Sequence, residues 1–330
     1  MDQEKRKRVV VMGGGTGTYT VLTGLKRTCA VDLTAIISMA DNGGSSGTLR
    51  DELGVLPPGD LRQAIVALAE TEDKTRTLFM HRMSEGTLNG HPLGNLLIST
   101  LSAILEDPIK AIAEVCRILN VQGKIIPVTT QATDLTVHLE DGEVINGEHA
   151  IDNATEPRAA IRHCKLTSPV DVNPDALEAI RTADLIVLGP GDLYTSVIPI
   201  LLVDGIKEAL AESKGRLTYI VNLMTKRGQT DGFKVSHFRD VVQAHCDPAK
   251  IRNIIVNTEV PSDELLALYE KEGEFLVQDD LVKVHLQRIS RWPLISNEVT
   301  EPVKGDVLRR SLFRHDPNAL AAAILSFIRE

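Results

Sequence analysis

The chain has 330 residues and a formal net charge of −9, from 36 Lys and Arg against 45 Asp and Glu. A surface of this charge repels polyanions, which argues against nucleic acid as a partner. Aromatic residues make up 3% of the chain, too few for the serial stacking platforms of single-strand binders. The composition instead predicts a globular protein with a core of Leu, Ile and Val.

The cysteine pattern and the N-terminal segment predict a cytoplasmic protein. Cys29, Cys116, Cys164 and Cys246 lie far apart without C-x-x-C spacing, so neither a zinc site nor a disulfide framework is indicated. The basic run before Val9 is not followed by the apolar segment of a signal peptide. No segment reaches the roughly 18 apolar residues of a membrane span.

Short β-branched runs alternate with helical segments along most of the chain. This pattern is typical of an α/β fold of Rossmann-like type, with a mostly parallel sheet and helices on both faces. The predicted strands cover residues 8–12, 33–39, 125–128, 185–188, 218–223 and 254–257, with a helix over 18–26 between the first two. Asp107, Asn173 and Asp316 each precede a proline and predict capped helix starts.

A glycine-rich loop connects the first predicted strand to the first helix. Its residues are Gly13, Gly14, Gly15, Thr16, Gly17 and Thr18. Backbone N–H groups and a helix N-terminus in this arrangement bind phosphate. Thr18 stands where the dinucleotide fingerprint has its third glycine, so that fingerprint is partial, and no Lys-Ser/Thr follows as in a P-loop.

A second polar loop follows the second predicted strand and contains Asp41, Asn42, Gly43 and Gly44. Asp41 lies 26 residues after Gly15, somewhat further than a ribose-binding acid usually does. It is therefore a candidate for a ribose contact or for a ligand of a divalent metal such as Mg²⁺. A mobile surface turn is the alternative.

Two polar segments precede the next apolar helices. Asp60 with Gln63 fits a helix cap, and a metal or substrate contact is the alternative for Asp60. His91 fits a cap of the following helix, or, with Asn95 on the same helical face, a contact to a phosphate or sugar.

Residues 137–145 predict an antiparallel excursion from the main sheet. Asp141-Gly142 is a two-residue hairpin signal between alternating segments. Without an internal repeat or a Pro- or Ser-rich linker, we interpret residues 1–330 as one domain with a β-rich elaboration near 124–168.

Two further loops follow later predicted strands. Gly189, Gly191 and Ser196 come after the strand 185–188, and Asn222 and Thr225 come at the end of the strand 218–223. Because the carboxyl ends of parallel strands share one edge of a sheet, these residues are expected beside the first two loops. Tyr269 and Arg314 are candidates for stacking on or pairing with a pyrimidine, and inert surface positions are the alternative.

Five segments, in this order, resemble the CofD/YvcK family over roughly residues 8 to 329. They are GGGTGT at 13–18, ADNGGSSG at 40–47, LPPGDLRQ at 56–63, GHPLGN at 90–95 and LGPGDLYTSVIP at 188–199. The second and third segments are more similar to the YvcK branch, the gluconeogenesis factors, than to the CofD branch.

The resemblance implies a Rossmann-like fold that binds a nucleotide. In the YvcK branch this is a UDP-sugar such as UDP-N-acetylglucosamine or UDP-glucose, and the proteins are associated with cell shape and growth on gluconeogenic carbon sources. By motif, residues 13–18 would face the phosphates, Asp41 with Asn42 would hold metal or ribose, and Asn222 with Thr225 would lie near the nucleotide. The loop 191–196 would close over the diphosphate.

The CofD branch implies a different activity, transfer of 2-phospholactate from a guanosine-type donor to a deazaflavin with a divalent metal. The scarcity of aromatic residues disfavours a deazaflavin slot. We therefore predict a nucleotide-sugar-binding regulator, with an Mg²⁺-dependent phospholactate-type transferase as the alternative. Asp60 and His91 are the candidate catalytic residues, NAD is expected at most as an adventitious ligand, and a homo-oligomer and a protein partner are left open.

Overall fold

The structure is a computed structural model that describes residues 6–28, 31–247, 250–282, 287–296 and 313–328. Seven strands within these ranges form a parallel sheet, and three form a small antiparallel sheet. The strands are β1 (Lys7–Gly13), β2 (Val31–Ile37), β3 (Lys124–Pro127), β4 (Leu135–Leu139), β5 (Val144–Asn146), β6 (Ile161–Leu166), β7 (Leu185–Leu188), β8 (Arg216–Ile220), β9 (Ile251–Asn257) and β10 (Arg288–Trp292).

The strand order of the main sheet is β3-β2-β1-β7-β8-β9-β10. β2 and β3 continue from β1 toward one edge, and β7 to β10 continue from it toward the other. The chain therefore changes direction between β1 and β7, which is where open α/β sheets bind their ligands. This architecture confirms the predicted Rossmann-like α/β class.

Both faces of the main sheet are covered. Val9, Val10, Val11 and Met12 are each at most 2% exposed although successive side chains point to opposite faces. The helices are α1 (Gly15–Thr28), α2 (Gly44–Leu53), α3 (Pro58–Leu68), α4 (Asp73–Met80), α5 (Leu93–Leu105), α6 (Pro108–Ile118), α7 (Glu148–Asp152), α8 (Pro174–Thr182), α9 (Ile198–Leu201), α10 (Ile206–Glu212), α11 (Val235–His245), α12 (Asp263–Lys271) and α13 (Pro317–Leu325).

The three predicted helix caps are confirmed. Asp107 accepts from the backbone N–H groups of Ile109 and Lys110, and Asn173 and Asp316 cap α8 and α13 in the same way. Strand β7 has the predicted bounds, whereas β8 ends at Ile220 rather than at residue 223.

The small sheet has the order β5-β4-β6 and lies within the predicted elaboration. β4 and β5 form the predicted hairpin, but the two-residue turn is wrong. The N–H of Gly142 donates to the carbonyl of Leu139 at 3.2 Å, and the N–H of Leu139 donates to the carbonyl of Glu143 at 2.9 Å. Gly142 has φ +95°, so the connection is a type I turn followed by a glycine bulge.

Three of the four cysteines lie in the described ranges, and all three are free thiols: Cys116, Cys164 and Cys246. Burial raises the pKa of each thiol to about 12, so they are protonated at neutral pH. Cys29 lies outside the described residues. The single-domain interpretation stays a prediction.

Candidate functional site

A cleft opens at the carboxyl edge of the main sheet, above the point where β1 and β7 pair. The loops that follow β1, β2, β7 and β8 contribute its walls, together with the starts of α3 and α5 and with α7. Its lining includes Gly14–Gly17, Asp41, Gly43, Ser45, Asp60, Asn95, Glu148, Asp152, Gly191, Asp192, Ser196, Asn222, Thr225, Lys226, Tyr269 and Arg314.

The first glycine loop and the loop after β7 touch each other across this point. A Cβ at Gly17 would overlap the carbonyl oxygen of Pro190, so only glycine lets the two loops approach this closely. α1 begins at Gly15, which has φ +62°. The N-terminus of α1, with its positive dipole end, therefore opens into the cleft.

The second loop is fixed by hydrogen bonds on both sides. Asp41 accepts from the backbone N–H of Gly43 at 2.9 Å and from the hydroxyl of Ser46. Asn42 donates to Asp134 at 3.1 Å and accepts from the backbone N–H of His149 at 2.9 Å. Asn42 therefore ties this loop to the small sheet and α7.

Asp60 faces the first glycine loop rather than capping its own helix. The cap of α3 is Pro57, and Asp60 is the third helical residue, so the predicted cap is wrong. Its carboxylate accepts a hydrogen bond from the backbone N–H of Gly15. Burial, reinforced by the charge of Asp41, raises the pKa of Asp60 to about 7.

Two further carboxylates, which no sequence motif singled out, enter the cleft from α7. Burial raises the pKa of Glu148 well above its usual range, and that of Asp152 is raised by burial and by the charge of Asp192. Asp152 accepts from Thr195 Oγ1 at 2.8 Å and from Gln229 Nε2 at 2.6 Å. In the sequence, the spacing of Glu148 and Asp152 by four residues places both acids on one face of a helix. Only the tertiary fold brings that face to the cleft.

The cation of Lys226 balances part of this negative charge. Its Nζ lies 3.3 Å from Asp192 Oδ2, and the charge of Asp192 raises the pKa of Lys226. Carboxylates nevertheless dominate the inner cleft, where Asp41, Asp60 and the α7 pair all carry raised pKa values.

A chain of polar side chains joins α3, α5 and the second loop. Arg62 Nε donates to Asn95 Oδ1 at 2.7 Å, and Asn95 Nδ2 donates to Ser45 Oγ at 3.1 Å. Ser45 Oγ also lies 2.8 Å from His91 Nδ1. α5 begins at Leu93 after Pro92, so the predicted cap by His91 is wrong, and His91 does not share a helical face with Asn95.

The remaining predicted residues divide into those that line the cleft and those behind it. Gly14, Gly15, Thr16, Gly17, Asp41, Gly43, Asp60, Asn95, Gly191, Ser196, Asn222, Thr225, Tyr269 and Arg314 line it. Gly13, Thr18, Asn42, Gly44, His91 and Gly189 are not part of the lining. Gly13 and Thr18 support the first loop from behind, because a Cβ at Gly13 would overlap Thr18 Oγ1.

Among the described residues, no three His, Cys, Asp or Glu side chains are arranged to hold a metal ion by themselves. No helix in the described ranges is long and apolar enough to cross a bilayer.

The chain matches a family model, several relatives and solved structures. The family model for CofD, 2-phospho-L-lactate transferase, matches residues 9–294. The chain is 46% identical to the gluconeogenesis factor of Halalkalibacterium halodurans over 97% of this chain and 96% of that protein. It is 36% identical to the gluconeogenesis factor of Bacillus subtilis over 99% of both chains. A crystal structure of a UPF0052 family member from Bacillus halodurans superposes with a TM-score of 0.88 at 40% identity, covering 97% of this chain and 99% of that one.

Proposed function

The chain belongs to the CofD family, and on this premise we propose that its cleft binds a nucleotide sugar, a UDP-sugar such as UDP-N-acetylglucosamine or UDP-glucose. The observation that carries this proposal is the contact between the two glycine loops at the β1/β7 switch point. Their backbone N–H groups and the N-terminus of α1 surround a space suited to a diphosphate.

The carboxylates in the cleft suit a diphosphate bridged by Mg²⁺. The carboxylate of Asp60 accepts the hydrogen bond that the backbone N–H of Gly15 donates. Its negative charge interacts unfavourably with that of Asp41 and would repel a phosphate. Mg²⁺ prefers oxygen ligands and is commonly bound by one or two carboxylates together with the phosphates of a ligand. A bound Mg²⁺ would also relieve the repulsion between the two carboxylates. Asp41 and Asp60 are therefore the proposed metal ligands, and the bound ion would neutralise charge on the diphosphate.

Calorimetric titration tests the nucleotide-sugar proposal directly. UDP-N-acetylglucosamine should bind saturably in the presence of Mg²⁺, and uridine, which lacks the phosphates, should bind at least tenfold more weakly. Absence of heat with UDP-N-acetylglucosamine and UDP-glucose at millimolar concentration would refute the proposal.

A pair of glycine variants distinguishes a specific effect on ligand binding from a general effect of backbone strain on stability. Gly15 has φ +62° and Gly54 has φ +64°, and a Cβ at either position would meet no atom within 4 Å. Gly15→Val and Gly54→Val should therefore cost similar stability, roughly 1–2 kcal/mol each in thermal unfolding. Only Gly15→Val should weaken UDP-sugar binding severely; equal affinity in the two variants would contradict the loop's role.

A transferase of phospholactate type is the second candidate function. It is favoured by Asp60, whose pKa of about 7 suits a general base beside the phosphate loop. The family model is that of a phospholactate transferase. The candidate requires Mg²⁺-dependent release of a nucleotide from a guanosine- or uridine-type donor, abolished in Asp41→Asn. If the ligands bind tightly but no product forms from either the guanosine or the uridine donors, the transferase candidate is excluded and only the binding function remains.

The names of the relatives extend the proposal to the cell. We expect the protein to support growth on gluconeogenic carbon sources, as the relatives' names indicate. The resemblance to the YvcK branch adds the expectation of a cytoplasmic role in cell shape, through a protein partner. Complementation of a strain that lacks its own gluconeogenesis factor tests this role. Failure of the intact gene to restore growth, with the protein present at normal levels, would contradict it.

A further inference from the structure

A serine hydroxyl in the cleft lies within hydrogen-bond distance of a histidine ring. Ser45 lines the cleft at the start of α2 and is partly exposed, so a bound molecule can reach it. Its Oγ is 2.8 Å from Nδ1 of His91, which is not part of the lining. A serine paired in this way with a histidine is a common arrangement of a nucleophile and its general base.

Neighbouring side chains fix the direction of this hydrogen bond. The guanidinium of Arg62, which can only donate, bonds to Asn95 Oδ1 at 2.7 Å, so the amide nitrogen of Asn95 faces Ser45. Asn95 Nδ2 donates to Ser45 Oγ at 3.1 Å. The hydroxyl proton of Ser45 therefore points to His91 Nδ1, whose lone pair accepts it. The ring is placed to take this proton as a general base.

The surroundings hold both side chains in this arrangement. The backbone N–H of His91 donates to the carbonyl of Leu88, and its carbonyl accepts from the N–H of Met83, each at 3.0 Å. Asn95 and Arg62 are 2% and 4% exposed, so the donors behind Ser45 are fixed in the interior. A nucleophile and base supported by such contacts are preorganised for reaction.

Two features stabilise negative charge on the serine oxygen. The first is the hydrogen bond that Asn95 Nδ2 donates to it. The second is its position as the second residue of α2, near the positive end of the helix dipole, which no side chain of the described residues caps. Both favour the alkoxide that forms as the proton leaves.

The atom that such a nucleophile would attack in this cleft is phosphorus. Ser45 shares the cavity with the first glycine loop, and the hydroxyl of the next residue, Ser46, donates to Asp41, a proposed metal ligand. A diphosphate bound between the glycine loop and Asp41 would therefore lie beside Ser45.

We propose that Ser45 is a nucleophile that His91 activates and that attacks the β-phosphorus of a nucleotide sugar. The inference rests on the proposed nucleotide-sugar binding and adds a covalent reaction to it. The Ser45 proton moves to His91 Nδ1, a bond forms between Oγ and the β-phosphorus, and the bond from that phosphorus to the bridging oxygen breaks. Uridine monophosphate leaves with the electron pair, and the sugar phosphate stays on Ser45 as a diester.

A second displacement restores the protein. Water or an acceptor alcohol attacks the same phosphorus, the bond from Oγ to phosphorus breaks, and Oγ takes the proton back from His91. The attacking oxygen keeps the sugar phosphate and loses its own proton to the solvent.

A fluorophosphonate probe tests the nucleophile without a nucleotide. The probe carries an activated phosphorus atom and bonds covalently to serines that a neighbouring base deprotonates. Peptide mapping by mass spectrometry should place the label on Ser45, and Ser45→Ala should remove it. His91→Ala should be labelled at least tenfold more slowly, and added imidazole should restore part of the rate, which a purely structural role of the ring would not allow.

His81→Ala is the matched control for the loss of an imidazole. His81 is exposed in the same segment, where its backbone carbonyl accepts from the N–H of Leu93, a bond that alanine keeps. This variant should be labelled at an unchanged rate. Urea unfolding of each variant ensures that the rates are compared for folded protein.

UDP-N-acetylglucosamine with Mg²⁺ tests the reaction itself. Acid-quenched samples should show a rapid release of uridine monophosphate, and the peptide that contains Ser45 should gain the mass of an N-acetylglucosamine phosphate group. Ser45→Ala should show neither.

The outcomes separate this inference from the proposed function. If UDP-sugars bind in the calorimetric titration but the probe leaves Ser45 unlabelled, the covalent reaction is wrong and the binding function stands. The same holds if no uridine monophosphate is released, or if Ser45→Ala releases it at an unchanged rate. If the probe labels Ser45 but neither UDP-sugar binds, the nucleotide-sugar proposal fails while the activated serine stands.

Discussion

Replacing Asp60 with asparagine should stabilise the ligand-free protein above pH 7. The folded protein raises the pKa of this carboxyl from 3.8 to about 7 through burial and the neighbouring charge of Asp41. Between these two pH values the folded state holds a proton that the unfolded state has lost. Stability is therefore lost as the pH rises through this window, and at pH 8 Asp60 is a buried charge that opposes folding.

The size of the effect follows from the shift. About three pKa units at about 1.36 kcal/mol each give an upper value near 4 kcal/mol, and water in the cleft screens part of it, so we expect about 2–4 kcal/mol at pH 8. Between pH 5.5 and 8 the unaltered protein should lose about 2 kcal/mol more than Asp60→Asn does. An asparagine oxygen can still accept from the N–H of Gly15, so the variant keeps that hydrogen bond.

Urea unfolding at pH 5.5, 7 and 8 without Mg²⁺ measures this difference. Asp32→Asn is the control for removing one charge, because Asp32 is exposed on β2 at the amino end of the sheet, away from the cleft. The reasoning is refuted if Asp60→Asn is less stable than the unaltered protein at pH 8, or if both lose stability equally between pH 5.5 and 8.

Three further substitutions test the architecture of the cleft by urea unfolding. Asn95→Leu should destabilise the protein by about 2–3 kcal/mol, because it takes the acceptor from Arg62, which is 4% exposed; an unchanged midpoint would contradict this. Gly17→Ala should cost about 1–3 kcal/mol by driving a methyl group into the Pro190 carbonyl, and a neutral result would mean that the two loops separate freely. Asn42→Ala removes two hydrogen bonds to the small-sheet region and should lower the free energy of unfolding by about 1–2 kcal/mol. An unchanged free energy of unfolding would show that other contacts hold that region in place.

Local patterns in the sequence sufficed for much of the fold. The apolar run of β7 between polar and glycine residues predicted its bounds without error, and Asp107 before Pro108 predicted a cap that forms as expected. Such features depend on hydrogen bonds within a few residues of each other. The Asp60 cap failed because its carboxylate is satisfied by a backbone N–H of Gly15, 45 residues away along the chain.

The composition of the site was only partly predictable for the same reason. The glycine loops were recognisable because glycine is required where Gly17 meets Pro190. Glu148 and Asp152 carry no local mark that separates them from other surface acids. Their raised pKa values arise from burial and from charges on other elements, which exist only once α7 lies over the cleft.

A parallel α/β sheet with glycine-rich loops at strand ends was predictable from local patterns, since hydrophobic period, turn residues and helix caps are short-range properties of the chain. Which polar groups share one cleft depends instead on long-range packing. His315 illustrates the difference: as a residue in the sequence it resembles any other histidine. Only the fold buries its ring and places it against Val221, a residue nearly a hundred positions away in the chain.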